Sequence, residues 1–235
     1  MITLYQFDIS PFCDKIRRIL NVKQLAYSLH EVRLAEASRL KSVSPTGKFP
    51  AIEVEGQVIV DSTEIAYFLE RRFPQPVLVP KEPREAALVH MLEDWADESL
   101  YFYEMTMRLS WANNAKRWVP ELIKHERGLM RAMGRRMIPS VIARVTKAQG
   151  VGRKRRDQVV KDVTRHVRAI GDWLGDRQWL VGEGLTLADI AVFSQLACIS
   201  GTEEGAAVIQ AVPPTAAWLR RVDQATAQRP QAKAA

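Results

Sequence analysis

The segment Ser10-Pro11-Phe12-Cys13 places a hydroxyl and a thiol three positions apart near the start of the chain. A serine followed by a proline is typical of a helix start, because serine caps the free amides of the first turn and proline suits the first helical position. Free amides and the helix dipole together favour an anion at this end of a helix. The segment therefore predicts either a plain helix cap or a site at which Ser10 stabilises an anionic group.

Cys13 is the alternative nucleophile of this segment. A thiol near a helix N-terminus has a lowered pKa and a raised reactivity. Cys13, however, falls one turn inside the predicted helix, and Ser10 occupies the place of a partner cysteine, so no disulfide can form across the turn. We therefore expect a packed, unreactive Cys13. The other cysteine is Cys198, and no spacing of cysteine with histidine indicates a metal site.

Hydrophobic periodicity predicts the order β-α-β-α-β-β-α for the first third of the chain. The predicted strands cover residues 2–7, 27–34, 51–54 and 58–60, and the predicted helices cover residues 11–20, 36–42 and 63–72. A β-α-β unit pairs its strands in parallel through the helix, whereas a hairpin is antiparallel. These elements predict an α/β domain with a mixed four-stranded sheet and helices on its faces, as in thioredoxin-like domains.

A proline-rich segment follows, with Pro74, Pro76, Pro80 and Pro83 inside ten residues. Proline cannot continue a helix or occupy a central strand, so this segment is typical of a linker between domains. Beyond it the hydrophobic periodicity is helical. We therefore predict a thioredoxin-like N-terminal domain over residues 1–74, a linker over 75–84, an all-α C-terminal helical bundle over 85–230 and a tail over 231–235.

The basic charge of the chain is concentrated in residues 116–168. The whole chain of 235 residues carries a formal net charge of +7, and this segment contains sixteen Lys/Arg against four Asp/Glu. No aromatic residues interleave with its densest run, Arg153-Lys154-Arg155-Arg156, as a single-strand-binding groove would require. We expect a solvated helical surface rather than a nucleic-acid site, with Pro120 and Pro139 separating its helices and Gly150-Val151-Gly152 connecting two of them.

The sequence shows no apolar run of the roughly 20 residues that a membrane helix needs. Its first residues lack a basic lead-in and an apolar segment of signal-peptide length. Two cysteines are too few for a disulfide-stapled secreted scaffold. We expect a cytoplasmic protein that is neither exported nor bound to a membrane.

Four segments are specific as a set, and three of them lie in the first half of the chain. Ser10-Pro11-Phe12-Cys13 has the form of a redox turn with serine in the first cysteine's place, Thr46-Gly47-Lys48-Phe49-Pro50-Ala51 is a loop ending in proline, and Asp61-Ser62 begins a helix. In this order and at these separations they resemble the cytosolic glutathione transferase family, of its serine or cysteine type. The resemblance extends over nearly the whole chain.

A fourth segment, Leu185-Thr186-Leu187-Ala188-Asp189-Ile190, is similar to the capped, buried helix of that family's second domain. Local physics gives the same interpretation, because Thr186 fits an N-cap and Asp189 fits the third helical position of a capping box. The role of this segment is in folding. We therefore count neither residue as catalytic.

The resemblance implies that glutathione is the co-substrate and that Ser10 stabilises its thiolate for attack on a hydrophobic electrophile. It also implies that the backbone of Phe49 pairs with the cysteinyl part of glutathione beside a cis Phe49-Pro50 bond. Asp61 would take the γ-glutamyl ammonium, and Ser62 would take the γ-glutamyl carboxylate. The implied glutathione-binding residues are Ser10, Phe12, Lys48, Phe49, Pro50, Asp61 and Ser62.

Some members of the family use a tyrosine at the end of the first strand as the catalytic residue. Gln6 falls at that position in this chain, and Tyr5 should face the opposite side of the strand. The second substrate would lie between the two domains, against Ile9 and Phe12. Large side chains of the helical half could join them there or form core: Tyr101, Tyr103, Met107 and Trp111. The resemblance further implies a homodimer.

Two other functions stay open. One is a glutathione-dependent thiol or peroxide reductase that uses Cys13. The other is a non-catalytic binding protein on the same fold, with the basic residues 116–168 as its contact surface.

Overall fold

The computed structural model describes residues 1–37 and 40–227 of the chain. Four strands form one sheet in the order β2-β1-β3-β4, with β1 and β2 parallel and the other pairs antiparallel. The predicted mixed sheet is confirmed, although the second strand ends three residues before its predicted end. The strands are β1 (Ile2–Gln6), β2 (Tyr27–Glu31), β3 (Ala51–Val54) and β4 (Gln57–Val60).

Three helices accompany the sheet: α1 (Pro11–Val22), α2 (Leu34–Ala37) and α3 (Ser62–Arg72). Helix α1 begins after Ser10 as predicted, and it buries an apolar face on the sheet because its apolar residues recur at helical spacing. Helix α2 begins two residues before its prediction, whose second half includes residues 38 and 39, outside the described residues.

The described residues from 83 to 227 contain helices and no strand, which confirms the all-α second half. The predicted tail over 231–235 and the predicted domain end at 230 lie outside the described residues. None of the described helices is both long and apolar enough to span a membrane. The helices are α4 (Pro83–Trp95), α5 (Tyr101–Met105), α6 (Ala112–Leu122), α7 (Gly128–Gln149), α8 (Arg156–Leu174), α9 (Leu187–Ser200), α10 (Glu203–Gln210) and α11 (Pro213–Thr226), with π-helical turns at Ala96–Leu100 and Thr106–Ser110 and a 3-10 turn at Val151–Arg153.

The prediction that Pro120 and Pro139 separate helices is wrong, because both lie inside helices, in α6 and α7. A proline in a helix frees the carbonyl of the residue four positions earlier. Those residues, Lys116 and Arg135, are exposed, so water can satisfy the freed carbonyls. The connection at Gly150 is confirmed, and its φ of 126° is one that glycine adopts readily.

Helix α9 lies at the centre of the helical half, and Asp189 fixes its start. The fully buried carboxylate accepts hydrogen bonds from the amide and the hydroxyl of Thr186, at 3.0 and 2.9 Å. It also accepts the amide of Leu180 and the indole N–H of Trp218, both at 2.9 Å. One side chain therefore ties together the helix start, the preceding loop and α11.

The two halves of the chain pack on each other through α1, which contacts α9 and α11. Asp14 on α1 accepts a hydrogen bond from Ser194 on α9 at 3.2 Å, and Arg18 on α1 pairs with Asp223 on α11 at 2.9 Å. The start of α1 is consequently held at the boundary between the halves.

Replacing Asp189 with alanine should lower the free energy of unfolding by about 3 kcal/mol or more, because it leaves several buried donors without an acceptor. Urea denaturation measures this change. Asp172→Ala, on the exposed side of α8, is the control and should change stability by less than about 0.5 kcal/mol. Equal stability of the two variants would contradict the role given to Asp189.

Candidate functional site

A cavity of about 660 Å³ lies between the two halves of the chain. One wall is formed by the β1–α1 turn, the loop that ends at Pro50 and the start of α3; the other is formed by α4, α5 and the π-helical turns. Large clefts between domains are the usual place for small-molecule sites. All of the predicted glutathione-binding residues lie along this cavity: Ser10, Phe12, Lys48, Phe49, Pro50, Asp61 and Ser62.

The β1–α1 turn presents hydrogen-bond donors to the cavity. Ser10 is the N-cap of α1, and its hydroxyl oxygen accepts a long hydrogen bond of 3.4 Å from the amide of Cys13. Among the described residues, neither the hydroxyl hydrogen of Ser10 nor the amide of Phe12 has an acceptor. Both lie at the positive end of the helix, where an anion is favoured.

Cys13 is fully buried and is not part of the cavity wall. Burial raises the pKa of its thiol to about 11, although Ser10 and the backbone of Phe7 act in the opposite direction. Desolvation therefore outweighs the helix N-terminus here. Only about one thiol in 10⁴ would be ionised at pH 7.

Phe49 presents its backbone to the cavity. Neither its N–H nor its C=O makes a hydrogen bond within the described part of the chain. The Phe49-Pro50 bond is cis, as the resemblance implies. Ser44 donates a hydrogen bond of 2.7 Å to the carbonyl of Lys48 and so fixes the loop, while the Lys48 side chain is exposed at the rim.

Asp61 and Ser62 differ in what they contact. The carboxylate of Asp61 accepts the amides of Thr63 at 2.9 Å and Glu64 at 3.3 Å, so it caps α3. The φ of Asp61 is 74°, a conformation that L residues rarely adopt and that is found preferentially at functional sites. Ser62 is buried, and its hydroxyl donates a hydrogen bond of 3.4 Å to Asp97 in the helical half.

A buried charge cluster that the sequence analysis did not predict lies behind Ser62. Lys15 of α1 contacts Glu93 at 2.7 Å and Asp97 at 2.5 Å, and Thr63 donates to Glu93 at 2.6 Å. One lysine and two carboxylates leave a formal charge of −1. Desolvation raises the pKa of Asp97 to about 6, although Lys15 opposes it. The sequence signal was a lysine on the apolar face of α1 and two acids four positions apart, Glu93 in α4 and Asp97 in the π-helical turn that follows it.

A second unpredicted pair, Glu104 and Arg108, lines the opposite end of the cavity. Both side chains are buried, and Nε of Arg108 lies 2.8 Å from Glu104 Oε2. Arg108 also donates a hydrogen bond of 2.9 Å to the carbonyl of Ile9, immediately before Ser10. The helical half therefore contacts the β1–α1 turn directly.

Only some of the aromatic and apolar residues considered for binding the second substrate line the cavity. Ile9, Phe12 and Tyr101 line it, and the rings of Phe12 and Tyr101 are 4.7 Å apart. Three other residues, for which the sequence left cavity and core as alternatives, do not line it: Tyr103, Met107 and Trp111. Tyr103 and Met107 are buried in the core, and Trp111 packs under Arg156.

Gln6 and Tyr5 point to opposite faces of β1, as the alternation of side chains along a strand predicts. Gln6 is buried and accepts a hydrogen bond of 2.5 Å from Arg17. Tyr5 faces the other way and donates to Glu53 at 3.0 Å. Burial raises the pKa of Tyr5, with Glu53 acting in the same direction. Neither residue lines the cavity.

Two relatives and one solved structure were compared with the chain. Over 236 aligned positions it is 22% identical to the isoprene-epoxide–glutathione S-transferase of Rhodococcus sp. (strain AD45), covering 94% of this chain and 98% of that protein. Over 87 positions it is 34% identical to a probable maleylacetoacetate isomerase of Caenorhabditis elegans, covering 36% and 41%. The β-etherase LigF of Sphingobium sp. strain SYK-6 has the same fold, with a TM-score of 0.70 at 24% identity over 97% of this chain and 96% of that one.

Family models match both halves in order. Residues 4–77 match the glutathione S-transferase N-terminal domain, and residues 135–224 match the glutathione S-transferase C-terminal domain. The two matches cover the sheet with its β1–α1 turn and the helices around α9. This chain therefore belongs to the glutathione S-transferase family.

Proposed function

We propose that this chain is a glutathione transferase that binds glutathione in the cavity between its halves and stabilises the thiolate at the β1–α1 turn. The observation that carries the proposal is the pair of uncommitted donors there, the hydroxyl of Ser10 and the amide of Phe12. They face a cavity that also offers the unpaired backbone of Phe49. A cysteinyl residue paired with Phe49 can direct its sulfur toward α1.

The hydroxyl of Ser10 and the amide of Phe12 can supply the free energy needed to lower the pKa of the glutathione thiol. A free thiol has a pKa near 8.5, and each unit by which the pKa falls needs about 1.4 kcal/mol in favour of the anion. A hydrogen bond to a charged group contributes roughly 1.5–3 kcal/mol. Two such bonds and the helix dipole are sufficient to make the thiolate the main form at neutral pH.

For the γ-glutamyl end we propose the roles that the resemblance implies for Asp61 and Ser62, with a contribution from the buried charge cluster that the sequence did not predict. Ser62 and the start of α3 bind the carboxylate, since a helix N-terminus favours an anion. The ammonium is attracted by Asp61 and by the excess negative charge of the cluster of Lys15, Glu93 and Asp97. An added ammonium would neutralise that cluster, which supports its placement there.

The hydrophobic electrophile would occupy the rest of the cavity. Phe12 and Tyr101 form one side of that region, and Met105, Leu109 and Ile142 form the other. An apolar pocket next to a stabilised thiolate suits addition or substitution at an electrophilic carbon. The same thiolate could also add to a substrate and leave again, as an isomerase would require.

The reductase alternative is less favoured by the structure. The buried Cys13 has its pKa raised to about 11, and it does not line the cavity. Attack by Cys13 would need both a thiolate and access, and burial opposes both.

The binding-protein alternative relies on free positive charge in residues 116–168. Within the run 153–156, Lys154 pairs with Asp162 at 2.6 Å and Arg156 pairs with Glu204. Arg155 pairs with Asp157 at 3.0 Å, so three of the four cations in this run have an acidic partner within the helical half. We therefore propose no nucleic-acid partner.

We also propose that the enzyme is a cytoplasmic homodimer, as its family resemblance implies. Both cysteines are free, which suits a reducing compartment. Helix α7 exposes apolar side chains at four-residue intervals, Met133, Met137, Val141 and Val145, which a partner subunit could cover. Light scattering on the purified protein tests the dimer.

Replacing Ser10 with alanine should lower kcat for glutathione conjugation by roughly 10²-fold, because a donor to the anion is lost. The KM for glutathione should change little, since the peptide contacts remain. Steady-state kinetics with 1-chloro-2,4-dinitrobenzene measures both values. Cys13→Ser is the matched control and should retain conjugation activity. Loss of glutathione-dependent reductase activity in Cys13→Ser, with its retention in Ser10→Ala, would establish the reductase alternative.

Glutathione should bind more weakly as the pH falls from 7 to 5. The pKa of Asp97 is raised to about 6, so the carboxylate that attracts the ammonium is mostly protonated at pH 5. The expected loss of affinity between pH 7 and pH 5 is about tenfold. Calorimetric titration measures the affinity at each pH.

Asp97→Asn provides the control, because it should flatten this pH profile while leaving weaker binding at pH 7. A wild-type profile that is flat between pH 5 and 7 would contradict the role of Asp97.

A further inference from the structure

Arg108 has hydrogen-bonding capacity that the protein does not use. A guanidinium carries five N–H donors. Nη1 donates one hydrogen to the carbonyl of Ile9 at 2.9 Å, and Nη2 donates one hydrogen to Glu104 at 3.1 Å. Nε faces the same carboxylate. Within the described residues, one hydrogen on each terminal nitrogen therefore has no acceptor.

The surroundings of Arg108 make these donors available to a ligand. The side chain is only 3% exposed, yet it lines the cavity. The ring of Trp118 lies 5.3 Å from the guanidinium and covers one side of it. Apolar side chains, including Met105 and Leu109, make up the nearby cavity wall. A buried donor in an apolar wall costs free energy until an acceptor reaches it.

The charge of the pair restricts what can bind. Glu104 is fully buried against Arg108, so the two side chains together are neutral. A carboxylate would gain little from a neutral pair and would face Glu104, whereas an uncharged oxygen acceptor meets two polarised N–H groups. The hydrogen bond to Ile9 places those groups beside the turn that carries Ser10.

We propose that Arg108 is a specificity-determining residue that binds an uncharged oxygen acceptor, of the carbonyl type, on the second substrate. This inference rests on the proposed function, because it takes the sulfur of glutathione to lie at the Ser10 turn. The hydrogen bond from Arg108 to the carbonyl of Ile9 then places the acceptor on the same side of the cavity as that sulfur. Electrophiles without such an oxygen leave the donors unpaired and bind less well.

Two glutathione conjugates that differ by one carbonyl test the proposal by binding alone. S-(2-oxo-2-phenylethyl)glutathione carries the acceptor, and S-(2-phenylethyl)glutathione has a methylene in its place. Calorimetry at pH 7 should show the wild-type protein binding the carbonyl conjugate roughly tenfold more tightly. In Arg108→Met/Glu104→Gln, which leaves no unpaired buried charge, the two affinities should agree within about twofold.

Arg156→Met is the matched control, because Arg156 is also paired with an acid but lies outside the cavity. Arg156→Met should keep the wild-type preference for the carbonyl conjugate. If the double variant does not fold, Arg108→Lys serves instead, since it keeps the charge but loses the planar fork, and the preference should fall severalfold.

Equal binding of the two conjugates by the wild type, or an unchanged preference in the double variant, would overturn the inference while leaving the proposed function intact. Absence of glutathione binding by the wild type would instead remove both. Glutathione itself is therefore titrated first, and Arg156→Met should bind it like the wild type. Arg108 also contacts the Ser10 turn, so for its variants the preference is taken as the ratio of the two conjugate affinities.

Discussion

The first turn of α1 must keep its hydrogen-bond donors unpaired while the rest of the helix is packed in the core. Ser10 and Phe12 satisfy this constraint, because the cavity borders them and the next turn is buried against the sheet and α9. An unpaired amide at a helix start costs free energy only where water and ligand are both excluded. The open cavity avoids that cost and leaves the donors ready for an anion.

The boundary between the halves is unusual in burying charge. Lys15 with Glu93 and Asp97, and Arg108 with Glu104, take charged groups out of water at a cost that their attraction offsets only in part. Apolar residues would pack there with less penalty. Both groups line or adjoin the cavity, so their retention fits a role in binding more closely than a role in stability.

Sequence patterns that span only a few residues were sufficient to predict much of the fold and of the site. The cap at Ser10, the reach of Asp189 back to Thr186, and the alternation that turns Tyr5 away each depend on residues a few positions apart. Lys15 meets acids 78 and 82 positions away, so local patterns do not indicate the pairing although a lysine on an apolar helix face is itself a signal. For a related reason the sequence left open whether Tyr103 and Met107 line the cavity or form core. Two π-helical turns, at Ala96–Leu100 and Thr106–Ser110, shift the face that each following residue presents, and α-helical spacing does not predict them.

The pKa of the glutathione thiol in the complex tests the central claim most directly. Ultraviolet absorbance of the thiolate, followed against pH with glutathione in excess over protein sites and corrected for free glutathione, gives that value. A free thiol has a pKa near 8.5, and the account predicts that the pKa of bound glutathione lies below about 7. A bound thiol that titrates like the free one, with glutathione demonstrably in the cavity, would contradict it.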